Sequence, residues 1–401
     1  MNQRVLLLAI FWAAPVQNFV SAVLGSSVRE RDVFGQYVWV EKGDYSRWVE
    51  YLVFSVVLLC LVIWVFQSKG KKRNPLGRFK THEVFLGFAI LTSVLVNITS
   101  WSVQDLLRLT LFLFCCGYFL VEKITLETIA ALKVSSVILL ISICTFVVAR
   151  PFYSQGPCRP DKCSPFGMLL NGYFPHENFL ALVLLASFPL LSSIQPRRWR
   201  YLAQAACGVL ILASGARTVY LAIVIFLIIM LPPLKNLARF APITMLLVSL
   251  IVFSTARGYD LSGRGLVYEV LAKSLENNWL FGAGPTALSQ AYQNGQIVFL
   301  AYHEHGIAPY LLGRFGVLIF FGFALLFIFK SKKPSSTSDF SITLPFVATA
   351  LTFASETTLQ LNISGAFAWA FLVYLGNKSD FLDEAASPYK RSPASPSPGT
   401  M

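Results

Sequence analysis

The chain has 401 residues, of which 55% are hydrophobic, 14% are aromatic and only 13% are charged, and its formal net charge is +13. Soluble domains carry about 25% charged residues, so this composition excludes an ordinary soluble globular protein. Apolar runs of roughly 20 residues recur along the chain, which is typical of a helical integral membrane protein. No basic run is interleaved with stacking aromatic residues, so we attribute the positive charge to membrane-flanking lysines and arginines rather than to nucleic-acid binding.

The apolar runs predict an all-α polytopic fold with about 12 transmembrane helices. They cover roughly residues 5–24, 49–66, 84–98, 103–121, 126–149, 179–194, 201–213, 219–231, 240–253, 307–329, 342–354 and 359–375. The first run could also be read as a signal peptide, but it is long enough to span a membrane, so we expect a retained helix.

The densest basic run, residues 69–80, lies between the second and third apolar segments. The positive-inside rule assigns it to the cytoplasm, and the other loops then follow by alternation, with both termini cytoplasmic. We therefore predict one transmembrane domain over residues 1–376 and a disordered cytoplasmic tail, rich in Ser and Pro, over residues 377–401.

The long polar interval of residues 254–306, between the ninth and tenth predicted spans, then falls on the extracytoplasmic side. It contains amphipathic segments of its own, and its candidate functional side chains are Arg257, Arg264, His303, Glu304 and His305. Long loops between packed elements are commonly functional. We therefore expect the spans to serve as the scaffold of this loop.

The seven cysteines fall into two groups. Five lie in apolar spans, where we expect inert small side chains. Cys158 and Cys163 share the polar loop CRPDKC on the predicted outer side, where an oxidising compartment would pair them in a disulfide. A zinc site would need more ligands close by in the sequence, and this loop has none.

Three groups of polar residues converge on the predicted outer face. The first is GYFPHENFLA, with His176 and Asn178; the second is the turn SGART, with Arg217; the third runs from SGRG through NNWLFGAGP to HEHG. Arg217 lies between two apolar segments with no carboxylate close in sequence. Such a charge is a functional candidate, although an arginine that reaches up to lipid phosphates is the simpler explanation.

The arginines and histidines of the long loop have similar alternatives. The planar guanidinium of Arg264 suits bidentate phosphate binding. The alternative is that Arg264 is a solvated surface charge. His303 and His305 are two residues apart, so at most one of them faces a given pocket if they lie on a helix, and Glu304 could orient either. One histidine could act as a general base near neutral pH, or both could be structural. The spacing does not fit a helical zinc pair.

Taken in chain order, the three groups of polar residues resemble motifs of the O-antigen ligase and polymerase family. The members of this family are polytopic enzymes that act on lipid-linked glycans at the outer face. GYFPHENFLA is similar to the pattern G-x-F-x-H-x-N-x-x-A, and LASGARTVYLA to the turn S-x-S-R-T, with Arg217 on the motif arginine. SGRGLVYEVLAKSLENNWLFGAGP resembles S-G-R followed by P-l-x-G-x-G-p, with Arg264 on the arginine and Gly282 and Gly284 on the glycines. HGIAPYLLGRFG resembles H-N-x-x-L-x-x-L-x-x-x-G, with His305 on the histidine.

The chain departs from the family pattern at three positions. Gly306 stands where the family has Asn, Arg314 where an acidic or apolar residue is common, and Trp279 in the neighbourhood of the usual Pro. These departures lead us to expect a different acceptor or different hydrogen bonding around His305.

The resemblance implies a glycosyltransferase of the bacterial inner membrane that transfers or polymerises a polyprenyl-pyrophosphate-linked glycan at the extracytoplasmic face. Arg217 and Arg264 would stabilise the leaving pyrophosphate, and His305 would take the proton of the acceptor hydroxyl, with inversion and with neither metal nor cofactor. Further substrate-binding candidates are His303, Glu304, His176 and Asn178. The partners would be the lipid-linked donor, a glycan or glycolipid acceptor and membrane lipid, with no nucleic acid.

Two other classes of function remain open for this chain. A transporter or flippase for lipid-linked glycan or an anionic solute would line its pathway with the arginines and relay protons through His305. We find no internal repeat in the sequence, and the single asymmetric loop favours the enzyme. A structural membrane subunit would explain the spans but not the predicted meeting of Arg217, Arg264 and His305 on one face.

Overall fold

Most of the described chain is α-helical. The computed structural model describes residues 3–24, 29–31, 37–39, 44–69, 79–122, 124–158, 163–174, 176–192, 194–229, 237, 240–255, 264–296, 306–331 and 368–376. The helices are α1 (Gln3–Leu24), α2 (Asp44–Lys69), α3 (Thr81–Val96), α4 (Val103–Val121), α5 (Leu126–Ala149), α6 (Pro151–Ser154), α7 (Glu177–Leu191), α8 (Arg197–Ser214), α9 (Arg217–Ile229), α10 (Ala241–Thr255), α11 (Arg264–Asn278), α12 (Ala287–Gln293), α13 (Ile307–Phe315), α14 (Val317–Ser331) and α15 (Ala368–Gly376). A 3-10 turn, Ile98–Ser100, joins α3 to α4.

Two short antiparallel ribbons accompany the helices. Strand β1 (Arg29–Arg31) pairs with β2 (Tyr37–Trp39), and β3 (Gln155–Pro157) pairs with β4 (Met168–Leu170), with Gly156 opposite Leu169. The second ribbon encloses the CRPDKC loop and lies between α6 and α7.

The helices have the length and surface of a membrane protein. Helices α1, α4 and α5, and residues Trp48–Phe66 of α2, are long and apolar enough to cross a membrane, whereas α3, α7, α10 and α14 are apolar but shorter. Large apolar side chains such as Leu52, Leu59 and Phe88 are exposed on the outward faces of α2 and α3. Exposed apolar surface of this extent suits contact with lipid.

The expected number of about 12 spans stays a prediction. Residues 342–354 lie outside the described residues, and only Ala368–Gly376 is described within the last predicted span. The tenth predicted span, residues 307–329, differs from expectation because Gly316 divides it into α13 and α14.

Local hydrogen bonds explain where several helices begin. The hydroxyl of Ser102 accepts from the Asp105 N–H at 3.1 Å and starts α4. Thr125 does the same for α5, accepting from the Thr128 N–H at 3.3 Å. These N-caps satisfy backbone donors that have no partner within the helix.

One end of the bundle, here called the basic end, collects the starts of α1 and α5 and the ends of α14 and α15. The Gln3 side-chain oxygen accepts from the Thr125 N–H at 2.9 Å, and the Lys330 ammonium donates to the Leu375 carbonyl at 2.6 Å. The start of α3 also lies at this end, where the His82 ring stacks on the Phe329 ring of α14 with centroids 4.3 Å apart. Helices α1 and α5 therefore start, and α14 and α15 end, at the same end of the bundle.

The opposite end, here called the loop end, holds the β3–β4 ribbon, the α8–α9 turn and helices α11 and α12. Near it, Phe19 of α1 packs on Phe146 of α5 and on Tyr173, with ring centroids 6.1 and 5.4 Å apart. Between the two ends, α7 buries most of its length among α5, α8 and α9, so the core of this half lies around α7.

Candidate functional site

The SGART turn is held tightly against the β3–β4 ribbon. Gly215 ends α8 with φ 69°, and a Cβ there would lie 2.6 Å from Leu169 Cδ2 and 3.3 Å from the Ser164 nitrogen. A disulfide joins Cys158 to Cys163 in the same ribbon, with the Cα atoms 4.7 Å apart. Only glycine suits this conformation and this close approach, and the contact fixes the position of the turn against the ribbon.

Arg217 is the first residue of α9, and its side chain is exposed at the loop end. The residues on either side anchor the turn: Ala216 and Val219 are fully buried, and the Tyr220 hydroxyl donates to the Leu212 carbonyl at 2.6 Å. The guanidinium therefore projects from a rigid turn at the start of a helix, where the helix dipole also favours an anion.

The GYFPHENFLA segment is fixed by buried hydrogen bonds. The Asn171 amide donates to the Phe174 carbonyl at 2.8 Å, and the Asn171 N–H donates to the Ser154 carbonyl at 2.9 Å. The Tyr173 hydroxyl lies 3.2 Å from Ser142 Oγ, and burial raises the pKa of Tyr173 to about 12. A phenol in this environment stays protonated and serves to hold the segment to α5.

His176 is the N-cap of α7. Its Nδ1 accepts from the Asn178 N–H at 3.1 Å, which assigns the proton of the neutral ring to Nε2, 3.5 Å from Glu177 Oε1. The His176 side chain is 47% exposed, and the Glu177 side chain is buried. The segment thus begins α7 at the loop end, close to the ribbon that holds the α8–α9 turn.

The break between α13 and α14 is stabilised by a distant segment, residues 279–284, here called the clasp. The Gly313 carbonyl accepts from the Ala283 N–H at 2.7 Å, and the Arg314 carbonyl accepts from the Gly284 N–H at 3.2 Å. A break in a membrane-embedded helix frees backbone groups that must find partners within the protein. The clasp supplies those partners.

The glycines of this region are required by geometry. A Cβ on Gly282, at φ 72°, would lie 2.5 Å from the Phe315 nitrogen, and one on Gly316, at φ 85°, would overlap the Leu280 carbonyl. Gly284, at φ 79°, packs against the Ser100 side chain instead. Of the two glycines in the family-like pattern, Gly282 therefore serves the close approach of two backbones, and Gly284 makes room for a side chain of the α3–α4 connection.

Helix α3 completes the clasp with two side chains that the sequence analysis missed. Ser93 Oγ and Asn97 Nδ2 donate to the Phe281 carbonyl at 2.8 and 3.0 Å. They lie one helical turn apart in an apolar helix, and Ser93 is fully buried. Polar residues at that spacing in a membrane segment are a signal that points to an interhelical contact.

The start of α13 lies within the bundle. The Ser249 hydroxyl accepts from the Ala308 N–H at 3.0 Å, six residues before α10 ends at Thr255, or about 9 Å of helix. Gly306 has φ 143° and approaches Ser249 Oγ closely, which explains glycine at this departure from the family pattern. His303, Glu304 and His305 lie outside the described residues.

Helices α11 and α12 form a small cap over α10 and α13. Val267, Tyr268 and Leu271 of α11 are buried against Phe253 and Leu288, a cluster separate from the main core. Arg264 is the first residue of α11, whereas Arg257 lies outside the described residues. The buried contacts of α11 hold this amphipathic segment against α10 and α13.

A charged cluster near the loop end was also missed. Arg108 of α4 binds Glu50 of α2 through Nε–Oε1 at 2.5 Å and Nη2–Oε2 at 2.9 Å, and its Nη1 lies 3.3 Å from Asp105 Oδ1. The Glu50 side chain is only 3% exposed. The paired charges join α2 to α4, and we assign them no chemistry.

The site residues therefore form two groups at the loop end. His176, Asn178 and Arg217 lie around the β3–β4 ribbon; the clasp, the start of α13 and the start of α11 lie around α10 and α3. Among the described residues, no group of three His, Cys, Asp or Glu side chains could hold a metal ion. Comparison of the chain with family models, curated proteins and solved structures finds no match in any of the three.

Proposed function

We propose that this chain is a membrane glycosyltransferase of the O-antigen ligase and polymerase type. It would transfer or polymerise a glycan carried on polyprenyl pyrophosphate, at the extracytoplasmic face of a bacterial inner membrane, for surface polysaccharide synthesis. The observation that carries the proposal is that family-like segments far apart in sequence begin or end helices at the same end of the bundle. Gly172 precedes α7, Arg217 begins α9, Arg264 begins α11 and Gly306 is the N-cap of α13.

The chemistry follows from the residue types. Departure of a polyprenyl pyrophosphate builds negative charge, and arginine forks stabilise such charge without a metal. Arg217, on a rigid and exposed turn, suits the donor phosphates, and Arg264 would supply the second fork. His305 would accept the proton of the attacking sugar hydroxyl, and attack from the opposite face would invert the anomeric centre.

The depth of α13 supports the same role for His305. This residue directly precedes Gly306, which lies beside Ser249, about 9 Å of helix below the end of α10. The proposal has the reacting sugar of a lipid-linked substrate bind near the start of α13, with its lipid tail between helices. The α11–α12 cap covers this region and would limit access of water.

The break at Gly316 favours one alternative, a transporter or flippase for the same lipid-linked glycan. Transporters place substrate sites at discontinuous helices near the membrane midplane. The clasp, however, fills the break with backbone hydrogen bonds from Ala283 and Gly284, and this leaves fewer groups for a solute.

The test is turnover by purified protein supplied with a fluorescent polyprenyl-pyrophosphate oligosaccharide and an acceptor glycan. The proposal expects longer or transferred glycan and released polyprenyl pyrophosphate, both abolished in His305→Ala. The control is Arg150→Gln, an exposed cation at the end of α5. Transbilayer movement of intact donor in vesicles, with no glycosidic bond formed, would support the flippase instead.

A further inference from the structure

The β3–β4 ribbon contacts two of the family-like segments. On one side, Leu169 of β4 lies against Gly215, the glycine that ends α8 before Arg217. On the other side, the carbonyl of Ser154, directly before β3, accepts from the N–H of Gly172 at 3.3 Å, at the start of GYFPHENFLA. A displacement of the ribbon would therefore reach both segments.

The ribbon is small and would be weak by itself. It has three residue pairs, Gln155–Leu170, Gly156–Leu169 and Pro157–Met168. Proline donates no backbone hydrogen bond, glycine weakens a strand, and a two-stranded ribbon alone is marginally stable. The disulfide between Cys158 and Cys163 closes the chain directly after Pro157. The pairing of β3 with β4 therefore depends on this crosslink.

The crosslinked chain also touches the arginine turn itself. A Cβ built on Gly215 would lie 3.5 Å from the Cys163 carbonyl carbon and 3.3 Å from the Ser164 nitrogen. Ser164 is buried, and its carbonyl accepts from the Gly167 N–H at 3.1 Å in the turn that leads to β4. The restraint of the disulfide therefore passes through one backbone contact to Gly215, two residues before Arg217.

A reductant that acts from the loop end has a single target. Of the seven cysteines, five are free thiols and the other two form the disulfide. Cys163 is exposed, and Cys158 is partly exposed. A soluble dithiol would attack one sulfur atom through its thiolate and form a mixed disulfide, which its second thiol then resolves. The products are two cysteine thiols and the cyclic disulfide of the reductant, so two electrons and two protons pass to the protein.

We infer that the Cys158–Cys163 disulfide is a redox switch for the position of Arg217. In the oxidised state the ribbon holds the α8–α9 turn, and the guanidinium is fixed for an anionic ligand at the loop end. Reduction to two thiols releases the ribbon and lets the turn move. The effect on the turn follows from the contacts alone, whereas the effect on the donor pyrophosphate rests on the proposed glycosyl transfer.

The first measurement is hydrogen–deuterium exchange of the full-length protein in detergent, before and after treatment with dithiothreitol. We expect amide exchange to be about tenfold faster after reduction in peptides that cover residues 155–170 and 214–220, because the crosslink no longer opposes local opening. A peptide of α14 should exchange equally in both states. Unchanged exchange over residues 214–220, or an equal increase in α14, would overturn the switch.

Two variants separate the disulfide from other effects of the reductant. Cys158→Ser combined with Cys163→Ser should exchange like the reduced wild type and should not respond to dithiothreitol. Cys144→Ser, which replaces a free cysteine of α5, is the matched control and should respond like the wild type. A response to dithiothreitol that persists in the double variant would contradict the assignment.

The second measurement is turnover of the fluorescent lipid-linked donor. Reduction should lower wild-type turnover about tenfold but that of Arg217→Lys less than about twofold, because the fork is already absent from that variant. An equal effect on both proteins would mean that the disulfide acts elsewhere, and would contradict the switch. Faster exchange on reduction, with no turnover in either redox state, would support the switch and contradict the proposed glycosyl transfer.

Discussion

The Trp279 carbonyl accepts a hydrogen bond from the Val317 N–H at 2.9 Å. This bond joins a residue of the long loop to the first residue of α14, so the loop completes the start of a helix 38 residues later in the chain. The clasp is consequently part of the helix bundle rather than a connection that lies over it. Changes in the clasp should therefore affect the position of α13 and, through it, of the segment that carries His305.

The first prediction concerns the break itself. Gly316→Ala should lower the apparent unfolding temperature in detergent, because a Cβ at φ 85° overlaps the Leu280 carbonyl. The combined cost of backbone strain and overlap is about 2 kcal/mol or more. The measurement is thermal unfolding at one fixed scan rate.

Its matched control is Gly87→Ala, because nothing lies within 4 Å of a Cβ built on this α3 glycine. That variant should unfold at or slightly above the wild-type temperature, since alanine favours a helix over glycine. A wild-type unfolding temperature for Gly316→Ala would mean that the break is not formed as described.

The second prediction concerns the two donors to Phe281. Ser93→Ala and Asn97→Ala should each destabilise the protein by about 1 kcal/mol, because the remaining donor still satisfies the carbonyl. The double variant should lose more stability than the sum of the two single losses, because only in the double variant is the Phe281 carbonyl left without either side-chain donor. Thermal unfolding in detergent of the four proteins measures this coupling.

Thr92→Ala is the control for the helix alone, because the Thr92 hydroxyl bonds the Phe88 carbonyl of its own helix at 3.0 Å. It should change the unfolding temperature little. Strict additivity of the Ser93 and Asn97 substitutions would argue against a shared acceptor.

The third prediction concerns the Glu50–Arg108 pair. Arg108→Met leaves the Glu50 carboxylate buried without its bidentate partner, which costs about 3–5 kcal/mol. Replacing both residues, as Glu50→Leu with Arg108→Met, should recover most of the loss because neither charge is then buried. Unfolding in detergent distinguishes the two variants.

The exposed pair of Glu269 and Lys273 on α11 serves as the comparison, with its charges 2.8 Å apart. Lys273→Ala should leave stability unchanged, because solvent screens such pairs. If the double variant at Glu50 and Arg108 is no more stable than the single one, the cost lies in packing rather than in an unpaired charge.

Much of the helical pattern follows from apolar runs alone. The break at Gly316 was not predicted, because Pro309 lies seven residues before it and the run stays largely apolar on both sides of Gly313 and Arg314. Its cause is tertiary: the clasp contacts α3 across 184 residues of sequence, and no local pattern encodes that contact.

The candidate site likewise contains some features that the sequence predicts and others that it does not. The exposed Arg217 stood out in the sequence as a charge beside apolar segments. The capping role of His176 Nδ1 depends on local backbone geometry, and the Glu50–Arg108 contact depends on the packing of α2 against α4. Neither could be derived from residue spacing alone.

The fourth prediction concerns the chemistry of Arg217. Arg217→Lys should reduce turnover of the lipid-linked glycan by about 100-fold, because an ammonium group cannot reproduce the planar fork. Arg150→Lys should turn over donor like the wild type. Turnover should also persist in a chelator; loss of activity that magnesium restores would redirect the mechanism to a metal.

The orientation of the bundle is the claim on which the glycosyl-transfer proposal most depends. The direct measurement is labelling of single introduced cysteines in intact cells with a membrane-impermeant maleimide, against the parent chain as background. We predict that Arg217→Cys is labelled in intact cells, whereas Arg198→Cys is labelled only after the membrane is permeabilised. Labelling of Arg198→Cys in intact cells, with Arg217→Cys protected until permeabilisation, would contradict an extracytoplasmic site.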